Sequence, residues 1–306
     1  MTTSLVTGAS GFTGRYLVAH LKRQGHRVVA LASTPCGADE THHIDLSDAA
    51  NLSRLVQQSA PDQVFHLAAL SFVGHPTPLD FYRVNVLGTE NLLAALSGLA
   101  APPRVLLASS ANVYGANGQA VIDESVAPLP VNHYAHSKLA MEHVALTYAQ
   151  KLPLLIARPF NYTGPGQAGH FLVPKIVAHF QRREAVIELG NTHVSRDFSD
   201  VRDVVAIYAR LLAHWPQGAR SASVVNVGSG QAVSLKALIQ TLERLAGHAI
   251  EIRVNPAFVR ANEIPKLKAC TQRLNAWVPG LERTPIEQTL TAMLESQMIN
   301  DARGKQ

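Results

Sequence analysis

The chain has 306 residues, 47% hydrophobic and 16% charged, which suits two lobes sharing a cleft and excludes a disordered chain. Its net charge is +5, yet Lys and Arg occur in no run longer than a pair such as Arg182–Arg183, so no nucleic-acid partner is expected. A mild positive field would still attract an anionic substrate. The two cysteines, Cys36 and Cys270, are far apart and show no metal spacing. Met1–Ser4 lacks the basic start of a secretory signal, and no apolar run approaches the ~20 residues of a membrane span. A cytoplasmic protein with no membrane partner and no metal is expected.

In chain order, short apolar runs predict strands at Ser4–Thr7, Arg27–Ala32, Gln63–Leu67, Arg104–Ser109 and Leu154–Arg158. Helical patterns separate them at Gly14–Gln24, Leu52–Ser59, Asn85–Leu99 and Tyr134–Lys151. This alternation predicts an α/β fold of Rossmann type. Its sheet should be parallel and doubly wound, with ligands at the carboxyl ends of the strands. Beyond Arg158 the texture changes. Asn161–Gly169 reads as loop, Phe171–Arg183 and Val201–His214 as helices, Val224–Val227 as a strand, and Ser234–Gly247 and Pro285–Gln297 as helices. Residues 1–160 are expected to bind a dinucleotide, with 197–228 returning to that domain. Residues 161–196 and 229–306 should form a smaller substrate lobe.

The stretch Thr7-Gly8-Ala9-Ser10-Gly11-Phe12-Thr13-Gly14 joins the first strand to the first helix. Gly8 suits the tight turn, Gly11 the approach of backbone to a pyrophosphate, and Gly14 close helix–strand packing, with free N–H groups of the helix end facing the phosphates. Phe12 and Thr13 belong to the same contact. The second strand ends Ala32-Ser33-Thr34 without the acid that would hold a ribose 2′-hydroxyl, and Arg15 stands where it could face a 2′-phosphate or be a plain surface residue. NADP(H) is therefore favoured over NAD(H). Asp45, followed by Leu46, falls where an adenine-contacting acid would sit, or is a plain turn aspartate. Leu67, Ala68 and Ala69 offer small side chains and backbone to the dinucleotide.

Tyr134 and Lys138 are four apart on one helix face. A phenol has a reference pKa near ~10, and a neighbouring ammonium favours its ionised form, so the pair can exchange a proton with a sugar hydroxyl or carbonyl. Upstream, Ser109-Ser110-Ala111-Asn112-Val113-Tyr114-Gly115 places a hydroxyl at a strand end. His133 and His136 flank the tyrosine as helix-start residues or as substrate contacts.

The glycine turn, the SSxxVYG stretch, YxxxK and Arg158-Pro159-Phe160-Asn161 together resemble the extended short-chain dehydrogenase/reductase family across essentially the whole chain. The resemblance implies Ser110, Tyr134 and Lys138 as the catalytic trio, with Tyr134, Lys138 and Pro159 also beside the cofactor. Arg158–Gln167, Phe171–Lys175, Ser195–Val205 and Val225–Gly230 further resemble GDP-4-keto-6-deoxy-D-mannose reductases. That implies a GDP-sugar substrate, reduction of its C4 ketone, and a homodimer built on the Asn85–Leu99 and Tyr134–Lys151 helices.

A diphosphate calls for cations and amide donors. Asn161, Lys175, Arg196 and Arg260 supply those types, Glu263 could accept from ribose or guanine, and Asn112 and Ser110 should face the sugar. Arg196 could instead pair with Asp197, and Lys175 could be a solvated helix residue. The sequence Arg260-Ala261-Asn262-Glu263 departs from the family's Arg-Pro pattern, and His170 replaces an Asn of related dehydratases. A 4,6-dehydratase needs a carboxylate just after the serine, where this chain has Ala111 and Asn112, so elimination is not expected. A nucleotide-sugar 4-epimerase with tightly held NAD is the alternative. A non-catalytic NADP sensor is more remote, since it needs no intact trio.

Overall fold

A computed structural model describes residues 1–215, 222–258 and 266–296. The chain opens with strands β1 (Thr3–Thr7), β2 (Arg27–Leu31), β3 (Glu40–His42), β4 (Gln63–His66) and β5 (Arg104–Ala108). β6 (Val121–Ile122) leaves this layer and β7 (Leu154–Pro159) returns to it. β8 (Asn161–Thr163), β9 (Val186–Leu189) and β10 (Ser195–Asp200) lie elsewhere. β11 (Ala222–Val227) rejoins the layer before β12 (Ala232–Ser234), β13 (Glu251–Val254) and β14 (Lys266–Ala269). The main sheet has seven parallel strands in the order β3-β2-β1-β4-β5-β7-β11. A second sheet runs β12-β10-β14-β6 with β8 beside β10, and β9 pairs with β13.

The helices are α1 (Phe12–Arg23), α2 (Ala49–Ser59), α3 (Pro78–Tyr82), α4 (Gly88–Ser97), α5 (His133–Leu146), α6 (Leu172–Gln181), α7 (Val201–His214), α8 (Leu235–Ala246), α9 (Gln272–Trp277) and α10 (Ile286–Glu295). Helices α1 and α7 cover one face of the main sheet through Leu17, Leu21, Val204 and Tyr208. Helices α2, α4 and α5 cover the other through Leu52, Val56, Leu92, Leu96 and Met141. Burial on both faces explains why β2, β5 and β7 carry unbroken apolar runs. Helix α2 shows how local sequence sets the ends: the Asp48 carboxylate accepts from Asn51 N at 3.1 Å, and Leu52, Leu55, Val56 and Ser59 fall on one buried stripe. Full burial of each leucine stabilises the fold by about 1.5–3 kcal/mol, and Leu96→Ala would lose about 2–5 kcal/mol.

Three expectations need correction. The helix read at Asn85–Leu99 opens inside a π-helical turn at Arg83–Leu87, continues as α4 from Gly88, and is preceded by the short α3, which was not expected. The wide turn carries an extra residue, which a 3.6-residue periodicity does not register. Asn161–Gly169 is not all loop, because Asn161–Thr163 pairs in parallel with Phe198–Asp200. The helix read to Lys151 ends at Leu146, where Thr147 and Tyr148 N–H groups bond three residues back and the ladder tightens. Within residues 1–160, β6 pairs with β14 in the second sheet.

Candidate active site

The carboxyl ends of β1, β4, β5 and β7 form one edge. Thr7 is opposite His66 in the ladder, and Ala108 is opposite Ala157. The glycine turn leaves this edge between β1 and α1. Gly8 has φ +66°, and a Cβ there would lie 2.7 Å from Ala68 N, so only glycine allows both the turn and the approach of the 67–69 segment. A Cβ at Gly14 would collide with the backbone of Gly8 and Ala9, so α1 packs directly on the turn.

Helix α1 has no side-chain cap and no acid in its first turn, which leaves the N–H groups of Phe12, Thr13 and Gly14 for an anion. A cavity of about 320 Å³ opens beside it, lined by Gly8, Ser10, Ser33, Leu46, Ala68 and Ala69 among others. The glycine cradle and this cavity fit a dinucleotide. Leu46 is buried against Gly88, and Arg15 is exposed. The Asp45 carboxylate already accepts from the Ser47 N–H and hydroxyl, both at 2.7 Å, so it closes a turn just beyond β3. The Thr13 hydroxyl bonds Tyr162 OH at 2.8 Å, and Tyr16 OH donates to Pro165 O at 2.8 Å; these contacts tie α1 to the segment that follows β7.

Asn132 caps α5 by accepting from Ala135 N at 2.9 Å. One turn apart, Tyr134 and Lys138 are both buried beneath the edge. Burial pushes the Tyr134 phenol up to about 12, against a smaller lowering from the hydrogen bond to Ser110. Ser110 therefore meets Tyr134, as a hydroxyl at the end of β5 would. Burial also lowers the Lys138 ammonium to about 8, opposed by the Glu142 charge. Its Nζ donates to Ala108 O at 2.7 Å. Phe81 packs on the Tyr134 ring at 6.2 Å. Pro159 is buried at the end of β7. Asn112 sits exposed on a 3-10 turn whose N–H bonds Ser110 Oγ at 3.1 Å.

Beneath this group lies an ion pair that sequence reading did not single out. Glu142, one turn beyond Lys138, takes Arg158 Nε at 3.0 Å and Nη2 at 2.5 Å, and the Ser109 hydroxyl also donates to it. Arg158 lies 4.8 Å from the centre of the Tyr114 ring, and Tyr114 OH donates to Asn226 at 2.8 Å. Helix α5 is thus bolted to β5 and β7. A glutamate at i+4 from the lysine, with an arginine closing the next strand, was the available signal.

The substrate-side residues are less gathered. Asn161 is exposed at the start of β8. The Lys175 ammonium donates to Glu188 O at 3.1 Å and lies 4.9 Å from the Phe258 ring centre. Arg196 bonds Ser195 O at 2.9 Å. Its neighbour Asp197 is fully buried and accepts from Ser229 N, Gly230 N and Ala269 N at 2.8–3.0 Å, so it clasps the loop after β11 to the end of β14. Arg260 and Glu263 lie outside the described residues. His133 and His136 are exposed at the start of α5, and His133 meets Tyr82 OH at 3.2 Å. Phe72 meets the His170 ring at 4.7 Å, which joins the loop after β4 to the loop before α6.

A seven-stranded parallel sheet with a glycine turn at its first crossover defines a dinucleotide-binding protein. The chain belongs to the NAD dependent epimerase/dehydratase family, whose pattern matches residues 4–228. It is 38% identical to the GDP-6-deoxy-D-talose 4-dehydrogenase of Aggregatibacter actinomycetemcomitans, over 86% of each chain. It is 37% identical to the GDP-6-deoxy-D-mannose reductase of Pseudomonas aeruginosa, over 94% of this chain and 95% of that one. Among solved structures, RMD from Pseudomonas aeruginosa complexed with NADPH superposes with a TM-score of 0.84 at 34% identity, covering 96% of both chains.

Proposed function

We propose that this chain reduces the C4 ketone of GDP-4-keto-6-deoxy-D-mannose, with NADPH as the hydride donor, to give GDP-6-deoxy-D-mannose, also called GDP-D-rhamnose. The observation that carries the reading is a buried tyrosine beside a serine hydroxyl, with Ala111 and Asn112 where a carboxylate would serve elimination. Ketone reduction needs one proton on O4 as hydride reaches C4. With a pKa near 12, Tyr134 holds that proton at neutral pH. Ser110 shares the ketone oxygen through a hydrogen bond. The Lys138 ammonium stabilises the phenolate left after transfer.

The first-turn N–H groups of Phe12, Thr13 and Gly14 would hold the pyrophosphate, and Leu46, Leu67, Ala68 and Ala69 would pack on the adenosine half. Bound there, the cofactor supplies hydride. Preference for NADPH rests on Ser10 and Ser33, whose hydroxyls stand 3.2 Å apart at the cavity rim in place of an acid. Arg15 adds a charge within the first turn of α1. Residues 1–160 and 197–228 would form the cofactor domain, and residues 161–196 and 229–306 the GDP-sugar lobe, with Asn161, Lys175 and Arg196 as its nucleotide contacts. Exposed Leu79 and Leu87 on one helical stretch and Leu146 on α5 suit a homodimer face.

The relative that acts on GDP-6-deoxy-D-talose favours a second reading, in which hydride reaches the opposite face of the same ketone. NADPH oxidation with freshly made GDP-4-keto-6-deoxy-D-mannose tests both. Stoichiometric consumption is expected, and interconversion of a UDP- or GDP-hexose without net consumption would move the assignment to a 4-epimerase. Among the described residues no helix is long and apolar enough to cross a membrane.

A further inference from the structure

A buried chain of polar groups runs from the glycine turn to the catalytic helix, and ketone reduction itself uses none of them. His66, at the end of β4, is its midpoint and is 1% exposed. Its Nδ1 lies 2.7 Å from Thr7 Oγ1 and its Nε2 lies 2.8 Å from Thr89 Oγ1. The Thr89 hydroxyl spends its one proton on Asn85 O at 2.7 Å, so it can only accept from the imidazole. Nε2 therefore carries the hydrogen, and Nδ1 accepts from the Thr7 hydroxyl. That hydroxyl oxygen in turn accepts from Ala68 N at 3.2 Å.

On the other side, Asn85 is fully buried in the π-helical turn. It takes Leu70 N at 2.9 Å and donates to Leu70 O at 3.1 Å and to Ser137 Oγ at 2.9 Å. Ser137 then donates to Tyr134 O at 2.8 Å. Every donor in the chain has one acceptor. Burial, with a smaller push from Lys138, drops the imidazole pKa to about 3, so this order of donors is fixed throughout the neutral range.

We propose that His66 is a positioning residue with two separable arms. The Nδ1 arm, through Thr7 and Ala68, holds the backbone against which the cofactor lies. The Nε2 arm, through Thr89, Asn85 and Ser137, holds the turn of α5 that carries Tyr134. A rigid, neutral ring with a donor and an acceptor on opposite sides is the side chain that can serve both at once. The Nε2 arm rests on the reading of Tyr134 as proton donor, whereas the Nδ1 arm rests on dinucleotide binding alone.

Two amides cut the arms separately. His66→Asn keeps an acceptor near the Nδ1 position and has nothing at Nε2; His66→Gln reaches the Nε2 position with an N–H and leaves Nδ1 empty. NADPH affinity is read by fluorescence titration and kcat at saturating NADPH. For His66→Gln, Kd for NADPH should rise about tenfold while kcat stays within about threefold of the native value, as expected for one lost hydrogen bond. For His66→Asn the pattern should reverse, with kcat falling about tenfold or more as Tyr134 drifts from its position. Should either variant fail to fold, Thr7→Val and Thr89→Val cut the same arms from the outside at nearly constant volume. If both members of a pair move Kd and kcat together, in proportion to the stability lost in urea, His66 only fills space and the proposal is overturned. If the native protein does not turn over the GDP-sugar, the functional reading fails, while the NADPH titrations still decide the Nδ1 arm.

Discussion

Replacing Lys138 by methionine separates what the lysine does for chemistry from what its burial costs. The side chain is 2% exposed, and burial lowers its pKa from 10.5 to about 8. A pKa change of one is worth about 1.4 kcal/mol, so keeping the charge folded at pH 7 costs about 3 kcal/mol. Methionine fills most of the same volume without that cost. It also leaves Ala108 O without the donor that sits 2.7 Å away, a loss of about 1–3 kcal/mol. The cofactor-free variant should therefore be as stable as the native protein at pH 7, or up to about 2 kcal/mol more stable.

The pH dependence is the sharper test. Between pH 8 and 10.5 the unfolded lysine is protonated and the folded one is not, so native stability rises with pH across that window. The variant lacks this rise, and its relative advantage should vanish by about pH 10.5. Urea unfolding of both proteins at pH 7, 8.5 and 10 measures the difference, and titrations shared by the two proteins cancel. A difference that stays flat with pH would refute the reasoning. Turnover should meanwhile fall by about 10²-fold or more.

Tyr134→Phe should retain NADPH affinity and lose about 10²–10⁴-fold in ketone reduction, because it removes only the proposed proton donor; unimpaired turnover would clear Tyr134 of that role. Glu142→Gln leaves Arg158 buried without its counter-charge, and thermal or urea unfolding should show a loss of about 3–5 kcal/mol. Ser33→Asp places an acid at the end of β2, where it repels a 2′-phosphate and accepts from a 2′-hydroxyl. It should shift the ratio of kcat/KM for NADPH and NADH toward NADH by about tenfold or more, the scale of one charge-assisted hydrogen bond. On the acid side, His66 stays neutral in the fold down to about pH 3, so stability should fall as pH drops below about 6.5, by up to about 1.4 kcal/mol per pH unit. His66→Asn should flatten that slope in acid titrations.

The sheet was legible because its strands are buried on both faces and so carry continuous apolar runs, and because Gly8 and Gly14 each answer a steric demand visible in a motif. The grouping of Ser110 with Tyr134 follows from one residue ending a strand and the other opening the next long helix. What escaped reading is tertiary in origin. The strand at Asn161–Thr163 exists because Phe198–Asp200 lies beside it, and nothing in its own polar sequence requires extension. The π-helical turn at Arg83–Leu87 leaves apolar spacing almost unchanged, so its second half and α4 read as one helix, and α3 went unread. Glu142 and Arg158 are 16 residues apart, and only the packing of α5 on β7 turns two ordinary charges into a buried pair. Asp45 shows the opposite case, an acid at the expected place whose oxygen is held by Ser47.

The central claim is transfer of hydride to C4 of a GDP-bound 4-keto sugar. The most direct test supplies NADPH carrying deuterium at both positions of its nicotinamide C4 together with GDP-4-keto-6-deoxy-D-mannose, and reads the product by NMR. Deuterium at C4 of a GDP-6-deoxyhexose is the predicted result, with the H4 couplings of the product made from unlabelled NADPH giving the rhamno or talo configuration. A product without deuterium, or an unconsumed ketone beside an interconverted hexose, would contradict it.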